Sequence, residues 1–340
     1  MSNRGKLLYI GDLSLGGTCV ERMRALEDYG YSIVSIDQAP YLTDLNRYLR
    51  SFEHRLLDGP RTQKLNADIL KIASLESPEI IWIDKGRSIF SSTVAKLKNM
   101  HGAFCVHYTP DPCFSVHQSR HLNKSLRYFD LCITNKRYEI DEYVKKGVKE
   151  IIFVFQGIDK RFQKDDLIHC NNPYGSMFIG HCEPYYVDVL KFVATVDKSL
   201  RIHGAGWTKS AISHPDLRRH IESEGVWGDL YPKTLSTSKI GIGLLCKRYP
   251  DQFTTRSFEI PAAGSMLIAE RTDEHSEIFK EDEEAVFFST KVELKHKLHK
   301  YHSDEVARSR IALAGQKKVR EYYSWSQVLR PAFEYIESFR

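Results

Sequence analysis

The side chains best suited to chemistry concentrate in residues 251–275. Asp251 stands eight residues before a second acid, Glu259, and Arg256 lies between them, three residues before Glu259. A carboxylate can accept hydrogen bonds from two vicinal hydroxyls, such as those of a ribose, and a guanidinium grips a phosphate with two parallel bonds. If residues 256–263 are helical, Arg256, Glu259 and Ala263 share one face, because residues three and four apart are helix neighbours. The run Pro261-Ala262-Ala263-Gly264 followed by Ser265-Met266-Leu267-Ile268 reads as helix end, glycine stop and buried parallel strand. That order sets the helix start in the crevice of an α/β sheet, where free N–H groups and the positive dipole end favour anions. The spacing leaves a second reading open, an exposed i,i+3 ion pair contributing ~0.2–0.5 kcal/mol. Pro261 disfavours helix at Ile260 and removes an N–H, which predicts a kink there or a later helix start.

Further candidates follow the ends of apolar runs. Gly180-His181 closes one run, and turns of this kind cradle phosphates through backbone N–H groups. His203-Gly204-Ala205-Gly206-Trp207 closes another, its glycines permitting close backbone approach and Trp207 able to cover a base or sugar. A packed turn explains the same residues. Lys247 and Arg248 add charge after residues 239–245, as ligands of a diphosphate or as a solvated basic loop. In the first half, His107-Tyr108-Thr109-Pro110-Asp111 ends a run, where Asp111 or His107 can deprotonate a hydroxyl. The alternative for Asp111 is to cap the turn after Pro110. Lys85-Gly86-Arg87 suits an anionic ligand or a solvated loop, and Gly11-Asp12 with Gly16-Gly17-Thr18 forms a glycine loop that is neither GxGxxG nor a P-loop.

The elements that must position these residues alternate. Strands are expected at residues 6–10, 32–37, 79–84, 103–108, 130–134 and 151–155, with helices at 18–29, 44–57 and 62–76. Continuous apolar strands separated by helices indicate a parallel sheet covered on both faces. Residues 157–175 are polar, rich in Gly, Pro and Asn and without periodicity, which marks an interdomain linker. A second alternation has strands at 176–180, 200–204, 239–245, 265–269 and 285–289, then helices at 291–301, 304–322 and 325–339. The expected class is therefore α/β, with two Rossmann-like, doubly wound parallel-sheet domains.

The segments RSFEIPAAG, AERTDEHSEIF and EDEEAVFFS resemble the C-terminal signature of the CgeB-type (spore-protein-like) glycosyltransferases of the GT-B superfamily. The resemblance covers most of the chain and is strongest over residues 245–288. It implies a GT-B architecture of two domains facing across a cleft. Residues 1–160 would form an acceptor domain onto which 325–340 packs back, and 175–324 a nucleotide-sugar donor domain. In related enzymes two acids separated by seven residues mark the donor site; the second, holding the ribose, falls on Glu259, and the first, usually Glu, falls on Asp251. Tyr231 follows Gly228-Asp229-Leu230, where the nucleobase is usually held. Gly16 and Gly17 would line the cleft beneath the donor sugar, with Lys85, Tyr108 and Asp111 on the acceptor side; the family carries a similar Tyr-Thr-Pro-Asp. Arg256 would stabilise the leaving diphosphate, and Asp111 would act as base if transfer inverts.

The implied function is transfer of a sugar from a nucleotide sugar to a glycan, lipid-linked glycan or protein. A GT-B sugar-nucleotide epimerase and a non-catalytic nucleotide-sugar-binding protein are the alternatives. Neither a DxD-type metal motif nor paired ligand spacing occurs, so no metal and no cofactor is expected. Net charge is +5, from 49 basic against 44 acidic residues, too mild for a nucleic-acid partner. The composition, 42% hydrophobic and 27% charged, is that of a globular protein. No apolar run approaches the ~20 residues of a membrane span, and the opening MSNRGKLLYIGD has no signal-peptide pattern. The seven scattered cysteines, with no CxxC pair, fit a cytoplasmic protein. The residues 44–57 place Leu45, Tyr48, Leu49 and Phe52 among Arg47, Arg50 and Arg55, a stripe suited to peripheral contact with the inner face of a membrane or to a core-facing helix.

Overall fold

Short apolar runs become parallel strands here because helices cover both of their faces. The computed structural model describes residues 4–14, 16–42, 57–115, 118–164, 167 and 174–339. Two units make up the chain, residues 1–155 with 325–340, and residues 156–324. The first holds β1 (Lys6–Gly11), β2 (Ser32–Asp37), β3 (Ile80–Asp84), β4 (Phe104–Thr109), β5 (Leu131–Thr134) and β6 (Ile151–Phe153). They pair in parallel in the order β2-β1-β3-β4-β5-β6. The second holds β7 (Tyr174–Ile179), β8 (Arg201–His203), β9 (Ile221–Ser223), β10 (Ser238–Gly243), β11 (Met266–Glu270) and β12 (Val286–Phe288), again all parallel, in the order β12-β11-β10-β7-β8-β9. Each sheet reverses direction of growth once, between β1 and β3 and between β7 and β10. Ligands of such sheets bind beyond the carboxyl ends of the strands at that reversal.

The helices that carry the argument are α1 (Cys19–Tyr29), α2 (Pro60–Glu76), α3 (Ser91–His101), α4 (Pro184–Val196), α5 (Leu230–Ser236), α6 (Arg256–Ala262), α7 (Glu305–Tyr322) and α8 (Arg330–Glu337). α6 begins at Arg256, so Pro261 lies in its final turn. There the missing N–H and ring disturb only the end of the helix rather than its middle. β9 escapes the sequence pattern because it is a three-residue edge strand, Ile-Glu-Ser, with one apolar residue. The closing helix expected over 325–339 is two pieces, Trp325–Val328 and α8, since Pro331 favours the first turn of a new helix. The helix expected at 44–57 lies outside the described residues.

A buried ion pair ties the first sheet to α1. Arg22 and Asp84 have no exposed side-chain surface, with Arg22 Nε 2.6 Å from Asp84 Oδ2 and Nη2 3.1 Å from Oδ1. Tyr9 Oη donates to the same carboxylate at 2.7 Å, and Arg22 Nη1 donates to Thr18 Oγ1 at 2.8 Å. The guanidinium lies 4.4 Å over the Tyr108 ring and 5.0 Å over Trp325, whose indole N–H donates to Glu21. Burial opposes the Arg22 charge, but Asp84 outweighs it.

In the second unit a neutral histidine locks α6 to the sheet. His275 is fully buried, with Nδ1 2.7 Å from the Glu270 carbonyl and Nε2 2.8 Å from Ser257 Oγ. The carbonyl can only accept, so Nδ1 carries the proton and Nε2 accepts from the Ser257 hydroxyl. Burial pushes the His275 pKa down to about 4. His107, equally buried, is pushed down to about 4 for the same reason.

Two predictions follow from these networks. Arg22→Met leaves Asp84 buried without its cation and should cost ~3–5 kcal/mol, part of which Arg22→Met with Asp84→Asn restores. Urea midpoints read this, and a loss under ~1 kcal/mol for the single variant would count against the network. A histidine whose folded pKa lies below its ordinary value of 6.5 binds fewer protons folded than unfolded. Stability is then complete above that value and falls as pH drops from 6.5 toward 4, by up to ~3 kcal/mol per histidine. Melting temperature against pH should show this fall, shallower in His275→Asn; an equal slope in the variant would exclude His275 as a source.

Candidate functional site

Helix α6 presents its first turn at the carboxyl edge of the second sheet, beside the end of β7. Arg256 Nε donates to the Ile179 carbonyl at 2.9 Å, and Nη1 lies 3.3 Å from Glu259 Oε2. Tyr231 Oη, from α5, donates to the same Oε2 at 2.6 Å. The guanidinium sits 5.6 Å over the Tyr231 ring. Burial opposes the Arg256 charge, but Tyr231 and Glu259 outweigh it and hold the guanidinium above its ordinary value.

Two atoms are left over. Glu259, 6% exposed, receives both bonds on Oε2, and its Oε1 makes no hydrogen bond among the described residues. Arg256 Nη2 likewise makes none, on a side chain that keeps 35% of its surface. An acceptor and a charged donor thus stand unused on one helix face at the reversal of the sheet.

Further polar groups stand at the carboxyl ends of the same strands. His181 follows β7, with Nε2 2.6 Å from Oε1 of the buried Glu183, and Cys246 Sγ lies 3.4 Å from Glu183 Oε2. Glu183 precedes Pro184, the first residue of α4, whose opening N–H groups face this edge. Lys247 pairs with Glu270 and lies 4.6 Å over the Tyr185 ring, while Glu270 Oε1 accepts from the Leu245 amide at 2.8 Å. The strands approach closely because Gly204, at φ 138°, has no Cβ; one would meet the Gly180 carbonyl oxygen at 2.0 Å.

Several expected residues sit elsewhere. Trp207 is fully buried, its indole N–H donating to the Gly180 carbonyl at 2.7 Å and its ring edge-on to Phe178, so it packs the turn and covers no ligand. His203 turns to Ser223 Oγ at 2.9 Å and lines a separate cavity of about 260 Å³ with Arg201 and Glu222. Asp251 lies in the loop before α6. In the first unit, Tyr108 is fully buried against Arg22, Trp82 and Trp325 and does not line a surface. His107 is also fully buried, its Nε2 donating to the Lys85 carbonyl at 3.2 Å, and cannot reach an external hydroxyl. Asp111 is ion-paired with Lys85 at 2.7 Å, both side chains partly exposed, and its amide bonds Thr109 Oγ1. Gly16, at φ 90°, and Gly17 lie in the loop between β1 and α1.

Glu183, Glu270, Tyr185 and Cys246 were not anticipated. Glu270 ends a strand and Glu183 precedes a proline at a helix start, positions where an acid faces the carboxyl edge. Those positions are the signals the sequence held.

Residues 188–334 match the model of a family described as glycosyl transferase-like. No curated protein matches the chain. Among solved structures, Anabaena Alr3699/HepE, in complex with UDP and glucose, has a TM-score of 0.68 at 12% identity, covering 98% of this chain and 100% of that one. A sucrose-phosphate synthase from Thermosynechococcus elongatus has a TM-score of 0.71 at 13% identity, covering 99% of both chains. A glycosyltransferase from Rickettsia africae has a TM-score of 0.68 at 13% identity, also covering 99% of both. These likenesses, with two six-stranded parallel sheets, show a GT-B-type α/β fold, and residues 188–334 are similar to the glycosyl transferase-like family.

Proposed function

We propose that the protein transfers a glycosyl group from a nucleotide sugar, held by the second unit, to an acceptor hydroxyl. The observation that carries the reading is the pair of unused atoms, Glu259 Oε1 and Arg256 Nη2, on one face at the sheet reversal. A carboxylate oxygen at the edge of solvent with no donor among the described residues is open to a ligand hydroxyl. A ribose hydroxyl does so, and a diphosphate next to it takes the guanidinium, Lys247, His181 and the opening N–H groups of α4. The complexes of Anabaena HepE with UDP and with UDP-glucose support a nucleotide sugar as donor.

In transfer the acceptor oxygen bonds to the sugar's anomeric carbon, the bond to the diphosphate breaks, and negative charge grows on the leaving oxygen. Arg256 stabilises that charge and Glu259 orients the donor. With those cations in place we assign the reaction no divalent metal. We assign the acceptor to the first unit, with Asp111 as the proton acceptor of an inverting reaction, and favour the CgeB-type subfamily on the segments around α6. The described cysteines are free thiols, as suits a cytoplasmic setting. Among the described residues no helix is long and apolar enough to cross a membrane.

Glu259→Ala should weaken UDP binding at least ~10-fold with the fold intact, whereas Arg256→Lys should keep part of the binding and lose ~10-fold or more in single-turnover rate. Calorimetry and rapid quench read the two, and wild-type behaviour in both variants would refute the site. Activity should persist in EDTA; loss of turnover restored by magnesium or manganese would overturn the metal-free assignment.

A further inference from the structure

A second concave site lies in the first unit, at the opposite ends of its strands. A cavity of about 530 Å³ opens where β4 and β5 begin, bounded by α3 and the end of the chain beyond α8. β4 runs six residues from Phe104 to Thr109, so ~17 Å of strand separates this cavity from the Asp111 turn. Its volume is that of a small-molecule site.

Its lining has two parts. Phe104, Tyr335 and Phe339 form an apolar floor, with ring centroids 4.9 to 6.3 Å apart, and Phe339 is 62% exposed. The rim carries Lys98, Arg127 and Lys149. The carboxylates nearby are already engaged. Asp130 pairs with Lys98 at 2.6 Å and accepts the Cys105 amide at 2.9 Å, and Glu150 takes the Tyr335 hydroxyl. Neither Arg127 nor Lys149 has an ion pair among the described residues. Two cations therefore line, without an ion-pair partner among the described residues, a cavity whose floor exposes Phe339.

We propose that this cavity binds one unit of an anionic saccharide, through the C–H face of the sugar on the rings and its carboxylate or phosphate on Arg127 and Lys149. The rings are mutually tilted by 43° to 62°, so no parallel slot receives a flat base. The puckered face of a pyranose suits such a floor. A membrane surface would ask for a convex apolar patch, whereas this site is concave. Arg supplies the paired donors that an anionic oxygen pair takes up. The inference rests on the cavity alone and stands apart from the donor site proposed on the second unit.

The test is calorimetry of the intact chain with tetragalacturonate and with its methyl ester. The acid should bind, at least tenfold more tightly than the ester, and more weakly as salt rises. Arg127→Glu with Lys149→Glu, and separately Phe339→Ala, should each weaken the acid at least tenfold without moving the melting temperature or the affinity for UDP. No binding at millimolar acid, equal binding of the ester, or wild-type affinity in both variants overturns the proposal. So does loss of UDP binding in the charge-reversed variant, which would make the cavity a nucleotide site. Co-sedimentation with phosphatidylglycerol vesicles without binding of the soluble acid also overturns it, in favour of a lipid surface.

Discussion

The second unit depends on one buried carboxylate. Removing Glu259 from water is costly unless donors replace its hydration. Two do, the Tyr231 hydroxyl at 2.6 Å and the Arg256 guanidinium at 3.3 Å. Arg256 in turn spends its Nε on the carbonyl that ends β7. The satisfaction of one carboxylate therefore fixes α5, α6 and a strand end relative to one another. His275 adds the fourth tie, joining α6 to the end of β11 through Ser257. A ligand arriving at this edge meets groups whose positions are already set, so little ordering is charged to binding.

The first unit uses the same device at its own reversal. Arg22 and Asp84 form a bidentate pair with no solvent access, capped by Tyr9 and sandwiched by the rings of Tyr108 and Trp325. Such pairs add little net stability over an apolar substitute but punish every arrangement that separates them. Here the pair ties α1 to the end of β3. The aromatic ring of Trp325 binds the chain's return segment to the same point. At the other edge of this sheet the rim cations Arg127 and Lys149 have no ion pair among the described residues, which is why that edge reads as open to an anion.

Residue type and local spacing carried part of this a long way. Arg256 and Glu259 meet because residues three apart on a helix are neighbours, a relation that needs no tertiary information. The alternation of apolar runs with amphipathic ones was enough for the α/β class, because parallel strands buried on both faces leave that signature. It failed at β9, three residues long with one apolar side chain, and at the closing helix, which Pro331 divides. Trp207 and Tyr108 show the limit for sites. Their rings suit ligand stacking, yet packing against Phe178 in one case and against Arg22 and Trp82 in the other removes them from solvent altogether.

By itself, then, the sequence determined most of the strands, the α/β class and the acid–base pair within one helical turn, since those follow from contacts a few residues long. The partners that complete the site were decided only in three dimensions. Tyr231 comes from 28 residues before Glu259 and the Ile179 carbonyl from 77 before Arg256. Strand order alone brings them together, and strand order is set by the packing of whole layers. The same holds for which histidines are neutral and enclosed. His107 and His275 differ in no local feature from exposed histidines; burial, which sums the positions of many distant side chains, makes them so.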